Sequence, residues 1–279
     1  MSALVLQSDF GLDDGAVSAM YGVAVGVDAA LRIHDLTHNI PPYDIWEGSY
    51  RLAQVLSYWP EGTVFVSVVD PGVGSDRLSV VARTATGHYV VTPDNGTLTH
   101  LEHIFGLTEL RQIDETQHRR PGSEESYTFH GRDIYAFTGA RLAAGAVTFE
   151  AIGPRVDLDR LVRLPVAEPR LQDDAVVGTI DTLDVRYGSL WTSIPRALFR
   201  ELGVEPGERV TVRVHHHDTV VHAAQVTYAR SFAAVEVGEA LLYVNSLDRM
   251  AIAINRGHYA RAFSLGTGAS WRVTLVPVR

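Results

Sequence analysis

The residues of this chain that could carry chemistry sit in short loops that follow apolar runs. Ser8-Asp9-Phe10-Gly11-Leu12-Asp13-Asp14-Gly15 comes directly after one such run. A carboxylate at a strand end can accept two hydrogen bonds from a ribose diol, and open α/β sheets bind ligands along that edge. Asp9 is the candidate for this task. Asp14 could share it, or Asp13 or Asp14 could cap the helix that follows. Val69-Asp70-Pro71-Gly72-Val73-Gly74-Ser75-Asp76-Arg77 follows the most hydrophobic run of the first half. Its two glycines would let the loop return Arg77 to Asp70. A carboxylate beside a guanidinium stays ionised. Such a pair can bind and orient a polar nucleophile, or it can simply close the loop as an ion pair. Thr128-Phe129-His130-Gly131-Arg132-Asp133 precedes a helical stretch. Its loop would present His130, which can move protons near neutral pH, and Asp133 suits the helix start. Thr92-Pro93-Asp94-Asn95-Gly96 reads as a turn.

The run His215-His216-His217-Asp218 invites a metal reading. On a strand, His215 and His217 would share a face and His216 would not. No acidic partner stands at a diagnostic spacing, so the run reads as a solvated strand end entering a turn, and no metal site is expected.

The elements that must position these loops alternate in the first half. Ala3–Gln7, Arg32–Asp35, Thr63–Val69, Leu78–Arg83 and Tyr89–Thr92 read as strands. Ala16–Val27, Ile45–Tyr58 and Asp133–Ala144 read as helices. This rhythm predicts an α/β domain with a largely parallel sheet. From about Ala175 the pattern changes to short strands and turns, with Arg209–His215, Val220–Thr227, Glu239–Val244 and Trp271–Val276 the clearest and one helix over Pro195–Leu202. Such spacing predicts a small antiparallel barrel or sandwich. The expected domains are residues 1–165 and 174–279, joined through the polar stretch Leu164–Asp174.

Composition narrows the chemistry. Among 279 residues there is no cysteine, and all 24 basic residues are arginine. Disulfides, thiol nucleophiles, Cys-ligated metal, Schiff-base lysine and a phosphate-loop lysine are therefore excluded. A formal charge of −9 argues against wholesale binding to nucleic acid or to an anionic membrane. The N-terminus lacks a signal-peptide pattern and no apolar run is long enough to span a bilayer, so the expected compartment is the cytoplasm.

Five segments taken together resemble one known family: Asp9-Phe10-Gly11, Leu36-Thr37-His38-Asn39-Ile40-Pro41-Pro42, Asp70-Pro71-Gly72-Val73-Gly74, Pro93-Asp94-Asn95-Gly96 and His130-Gly131-Arg132-Asp133. The family is the S-adenosyl-L-methionine (SAM) hydroxide adenosyltransferases, adenosine-forming SAM hydrolases related to the fluorinase and chlorinase. The resemblance continues through Asp184–Ile194 and Asn245–Asn255 and so covers nearly the whole chain. It implies an N-terminal α/β catalytic domain, a C-terminal β-barrel that binds adenine, and a homotrimer with active sites at subunit interfaces. It implies attack of water or hydroxide on C5′ of SAM, releasing adenosine and methionine. SAM is then the substrate, and no cofactor is expected.

The resemblance also assigns residues. The family's Asp-Arg-His trio falls on Asp70, Arg77 and His130, and its ribose-binding aspartate on Asp9. Asp14, Tyr43 and Gly131 fall among substrate-binding positions in the first domain. In the barrel, Ser189, Trp191, Phe232, Asn245, Ser246, Ala251 and Ile254 do. Phe232 would stack on adenine, or could be a barrel core residue. Two positions depart from the family pattern. Ser189 stands where an asparagine hydrogen-bonds adenine, and Ala251 where many hydrolases carry glutamate. At the position of Asp70 the halogenases have tyrosine. A carboxylate there would repel halide at close range, which points to water as the nucleophile and leaves a chlorinase-like activity as the alternative. Two more distant readings are a Ca²⁺-dependent nucleoside hydrolase and a non-catalytic SAM- or adenosine-binding module. For the former, Gln7 stands where a further aspartate ligand is expected, which weakens a hard-cation site. For the latter, the trio would have to be broken, and it is complete.

Overall fold

The computed structural model describes residues 2–278. The chain divides into two compact units, one ending at Leu164 and the other beginning at Pro165.

The first unit is built on a seven-stranded sheet: β1 (Leu4–Ser8), β2 (Ile33–Thr37), β3 (Val64–Val68), β4 (Ser79–Thr84), β5 (Tyr89–Pro93), β6 (Leu107–Gln112) and β7 (Arg155–Val156). Its order is β2-β1-β3-β5-β4-β6-β7. The β2-β1-β3-β5 core is parallel, and the β4, β6 and β7 pairings are antiparallel. Parallel strands covered by helices on both faces must be apolar on both faces, and every residue of β1 and β3 is buried. Leu4, Leu6, Val64 and Val66 pack on helices α1 (Ala16–Val27) and α4 (Phe137–Ala143). On the other face, Val5 and Phe65 pack with α2 (Ile45–Val55) and α3 (Thr99–Phe105). In β1 and β3, Ser8 pairs with Val68 in register. The loops carrying Asp9 and Asp70 therefore leave the sheet side by side at its carboxyl edge.

Some expectations need correction. The helix read over Asp133–Ala144 opens with a π turn, Gly131–Ala136, before α4 begins. Asp133 lies in the first turn, where its charge suits the helix start, but its side chain makes no capping hydrogen bond. Its carboxylate is fully buried on Arg132, with the Nε–Oδ1 and Nη2–Oδ2 contacts both at 2.7 Å. Two further elements, α3 and β6, carry no clear sequence signal. In β6 one face carries polar side chains, and Glu109 pairs there with Arg83 and Arg111, so the alternation of a half-buried strand is masked by charge.

The second unit holds β8 (Arg170–Gln172), β9 (Ala175–Leu183), β10 (Leu190–Pro195), β11 (Arg209–His216), β12 (Thr219–Tyr228), β13 (Ala240–Val244), β14 (Arg249–Ile254) and β15 (Trp271–Pro277). The order runs β10-β14-β13-β12-β11-β15-β9-β8, and a β9–β10 pairing closes the ring, giving a seven-stranded barrel with β8 laid on β9. All its pairings are antiparallel except β12–β13. Closure leaves no open edge within the seven-stranded ring itself. Val176, Ile180, Val210, Val212, Ile252 and Leu275 fill the interior. The stretch read as connector contributes strand β8. In the histidine run β11 ends at His216. His217 turns into the left-handed region at φ 52° and does not share a strand face with His215. The His216 ring stacks on Trp271. Among the described residues, no group of three or more His, Asp or Glu side chains could hold a metal ion. No helix among them is long and apolar enough to cross a membrane.

Candidate active site

The Asp9 loop is held from below by a relay that runs from buried Ser8 and His38 to the exposed carboxylate of Asp35. The Ser8 hydroxyl meets His38 Nδ1 at 2.7 Å, and His38 Nε2 meets Asp35 Oδ1 at 2.9 Å. Tyr21 donates to the same Asp35 oxygen, and Gly11 N–H donates to the His38 carbonyl. The residue types are those of a hydrolytic triad, but the Ser8 side chain is sealed in the sheet. The relay therefore ties β1 to the segment after β2. Gln7 is committed in the same way, its amide donating to the Gly48 carbonyl and to Ser67 Oγ. Above this brace, Asp9 Oδ2 accepts from Tyr43 N–H at 2.9 Å. Tyr43 holds a left-handed backbone at φ 68° and its side chain is exposed. Asp14 accepts from Ala16 N–H at 2.8 Å just ahead of α1, but Gly15 holds the N-cap position and no side chain caps the helix, so the capping alternative is not realised.

Asp70 and Arg77 meet as a fork-to-fork pair. Arg77 Nε donates to Asp70 Oδ1 at 2.8 Å, Nη2 donates to Oδ2, and both side chains are largely buried. Gly74, at φ 79°, supplies the left-handed step that returns the loop. Asn95, from the expected turn, donates to the Val69 carbonyl at 2.8 Å and anchors the strand end. Arg77 continues through Nη1 to Ser79 Oγ and through Nη2 to His130 Nδ1, the latter at 3.1 Å. The Asp70, Arg77 and His130 side chains are thus brought together.

Two residues that sequence reasoning missed complete a ring around this trio. Glu115 accepts from Ser79 Oγ at 2.7 Å. Arg119 lies 3.3 Å from Glu115 Oε2 and, through the same nitrogen, 3.3 Å from His130 Nε2. The only sequence signal for them is a Glu-x-x-x-Arg spacing in a stretch without periodicity. Burial is the main influence holding the His130 imidazole below its ordinary range. The Arg77 and Arg119 charges add to it, while Glu115 and Asp70 oppose it. Burial also pushes the Tyr135 phenol, hydrogen-bonded to Ser79, far up. Arg77 is pulled down by burial, but its bond to Asp70 and neighbouring negative charge more than offset that.

Asp9, Tyr43, Asp70, His130 and Gly131 line one cavity of about 240 Å³, with Phe10 and Phe129 as its aromatic wall. One side of that cavity can grip a diol, and the other can hold a polar nucleophile between a carboxylate and an imidazole.

In the barrel unit a second cavity, about 910 Å³, is lined by Ser189, Phe232 and Ile254 together with Tyr187, Tyr243 and His258. Phe232 is exposed at 40%, so the core-residue alternative does not describe it, and its ring lies 5.0 Å from Tyr243. Gly188 allows the backbone to pass His258: at φ 64°, a Cβ there would collide with the imidazole. Ser189 is buried. The Tyr243 phenol is raised by its own burial, an effect partly offset by the polar groups of Ser189 and Trp191 beside it. Trp191, Asn245, Ser246 and Ala251 are not brought to the cavity surface. Asn245 Oδ1 instead accepts from Leu247 and Arg249 N–H groups and builds the β13–β14 turn. Ala251 pairs in register with Trp191 on one side and Tyr243 on the other and is fully buried.

Comparison with known proteins agrees with this two-unit design. Residues 4–153 match the SAM hydroxide adenosyltransferase N-terminal domain, and residues 178–272 match the C-terminal domain of the same family. The chain is 36% identical over 275 residues to an (R)-S-adenosyl-L-methionine hydrolase of Salinispora tropica, covering 96% of this chain and 95% of the relative. It is 29% identical to a fluorinase of Nocardia brasiliensis, covering 97% and 96%. A crystal structure of an uncharacterized conserved protein from Thermotoga maritima superposes with a TM-score of 0.89 at 30% identity, covering 98% of this chain and 99% of that one. This chain belongs to the SAM hydroxide adenosyltransferase family.

Proposed function

We propose that this protein hydrolyses SAM to adenosine and L-methionine. The observation that carries the reading is that Asp70 and His130, joined through Arg77, line one cavity with Asp9. In this reading Asp9 accepts hydrogen bonds from the ribose 2′- and 3′-hydroxyls and fixes C5′ in front of the cluster. A water held between Asp70 and His130 attacks C5′. The new C–O bond forms as the C5′–S bond breaks, and its electron pair passes to sulfur, leaving methionine as a neutral thioether. The water proton passes to Asp70 or His130. The leaving group needs no acid, so the site's work is to place and polarise the nucleophile. Holding it in line supplies proximity worth up to ~7–11 kcal/mol in the best intramolecular cases. Arg77 acts through its neighbours: Nε, Nη1 and Nη2 are all engaged with protein groups, so it fixes Asp70 and His130 and favours developing hydroxide by charge.

The cavity holding Asp9 and Asp70, at about 240 Å³, is small for SAM, since ligand pockets usually span ~300–1,000 Å³. That supports a homotrimer in which a neighbouring copy's barrel closes each site, with Phe232 and Ser189 beside adenine. The reaction needs no metal or cofactor and belongs in the cytoplasm.

Chromatography of purified protein incubated with SAM, with and without concentrated chloride, tests the reading. Equal amounts of adenosine and methionine, independent of chloride, are expected. 5′-Chloro-5′-deoxyadenosine would assign a halogenase, and unchanged SAM would leave a binding module.

A further inference from the structure

His130 is held between two guanidinium groups. Arg77 Nη2 lies 3.1 Å from Nδ1 and Arg119 Nη2 lies 3.3 Å from Nε2. Guanidinium nitrogens only donate, and a neutral imidazole offers a single lone pair. One contact can therefore be a hydrogen bond, and at the other an N–H faces an N–H. A protonated ring would be worse, with both N–H groups aimed at cations.

His118 provides a contrast within the same chain. Its Nδ1 meets Arg141 Nη1 at 2.9 Å, and its Nε2 meets the Ala151 carbonyl at 3.0 Å. That ring is satisfied as one neutral tautomer. His130 has an arginine where His118 has its carbonyl.

The two arginines at His130 are not equivalent. Arg77 is clamped by the short fork to Asp70 and by Ser79. Every polar contact of Arg119 is long: 3.3 Å to Glu115, and 3.4 and 3.2 Å to the Ser123 and Ser126 carbonyls. Its guanidinium also lies over the Tyr127 ring at 5.1 Å, and that ring lies 6.2 Å from His130. Arg119 is thus the partner that can withdraw, and with Arg77 fixed against Nδ1 a water reaches the imidazole lone pair in the tautomer that carries it on Nε2.

Building on the hydrolase reading above, we propose that Arg119, anchored by Glu115, is a positioning residue that holds His130 unprotonated with its ring lone pair available to the nucleophile. When the water proton reaches His130, the resulting imidazolium sits between two cations and passes the proton on to solvent, which resets the site. The charged groups facing the ring are Asp70 and Arg77 from the loop after β3, and Glu115 and Arg119 from the segment after β6. Their signs give opposite expectations. Loss of the Arg119 charge favours imidazolium, and loss of the Glu115 charge disfavours it.

The test is the pH profile of kcat/KM for SAM in the parent, Arg119→Gln, Arg119→Lys and Glu115→Gln. It is paired with NMR titration of the His130 ring, using His118 as an internal control for folding. In Arg119→Gln, the acidic limb and the His130 titration should move up together by about one unit. In Glu115→Gln both should move down. Arg119→Lys keeps the charge and should keep the parent midpoint. A His130 titration unmoved in Arg119→Gln, or moved the same way by both charge removals, would overturn the proposal. A parent inactive on SAM would instead overturn the hydrolase reading, and the titrations would still decide the coupling between Arg119 and His130.

Discussion

No space separates Gly131 from Phe10: a Cβ added to Gly131 would come within 2.8 Å of Phe10 Cζ and 2.9 Å of Cε2. The residue after His130 must therefore lack a side chain for the π turn to lie against the Asp9 loop. This contact joins the two halves of the cavity, since Phe10 follows Asp9 and Gly131 follows His130.

Gly131→Ala should consequently push Phe10 away and move His130 with it. Overpacking of this kind costs about 1–3 kcal/mol. The expected result is a modestly lower Tm with a disproportionate fall in kcat. A variant with parental kcat and Tm would show that the contact yields freely.

Asp70→Asn keeps the shape of the fork to Arg77 but removes the negative charge. If Asp70 orients and polarises the water, kcat should fall by about 10²–10⁴-fold, with KM little changed. Initial rates of adenosine release measure this, and unchanged kcat would reduce the Asp70–Arg77 fork to an ion pair that closes its loop.

Asp9→Ala removes the diol acceptor and also releases Tyr43 N–H. A lost hydrogen bond to a charged group is worth about 10–100-fold in binding. KM for SAM should rise on that scale, and 2′-deoxyadenosine should lose its disadvantage against adenosine as a competitive product inhibitor. An unchanged KM would remove Asp9 from ribose recognition.

His118 supplies a stability prediction. Burial first, then Arg141, holds its imidazole below the ordinary value against the bond to Ala151 and the Asp114 charge. The unfolded chain then binds the proton more readily than the folded one. Stability should be complete above about pH 6.5 and should fall as the pH drops below it toward the folded value. Thermal unfolding across that window should show a shallower acid slope in His118→Gln than in the parent. An identical slope would contradict the assignment.

The parts of this site legible in the sequence are those where chemistry follows a strong strand. Asp9 and Asp70 stand just beyond β1 and β3, whose apolar runs Leu4–Leu6 and Val64–Val66 mark them as central parallel strands. Arg77 and His130 were legible through their glycine-bearing loops. Glu115 and Arg119 were not. They lie in the stretch after β6, whose position beside β4 is a matter of sheet order that no local pattern records. The helix expected over Asp133–Ala144 takes in the π turn only from Asp133 onward, because one extra residue per turn leaves the apolar spacing nearly intact, while Gly131 and Arg132 carry the pattern of a loop. In the barrel, Asn245 and Ala251 carry family positions, but the turn and sheet register turn them to structural work. Cavity residues such as Tyr243 and His258 had no motif to announce them.

The central claim is that water attacks C5′ under the control of Asp70 and His130. Turnover of SAM in H₂¹⁸O, with mass spectrometry of the products, tests it most directly. The account predicts one ¹⁸O atom per adenosine, located on the 5′-oxygen, and none in methionine. Unlabelled adenosine, or label on free ribose with release of adenine, would contradict it.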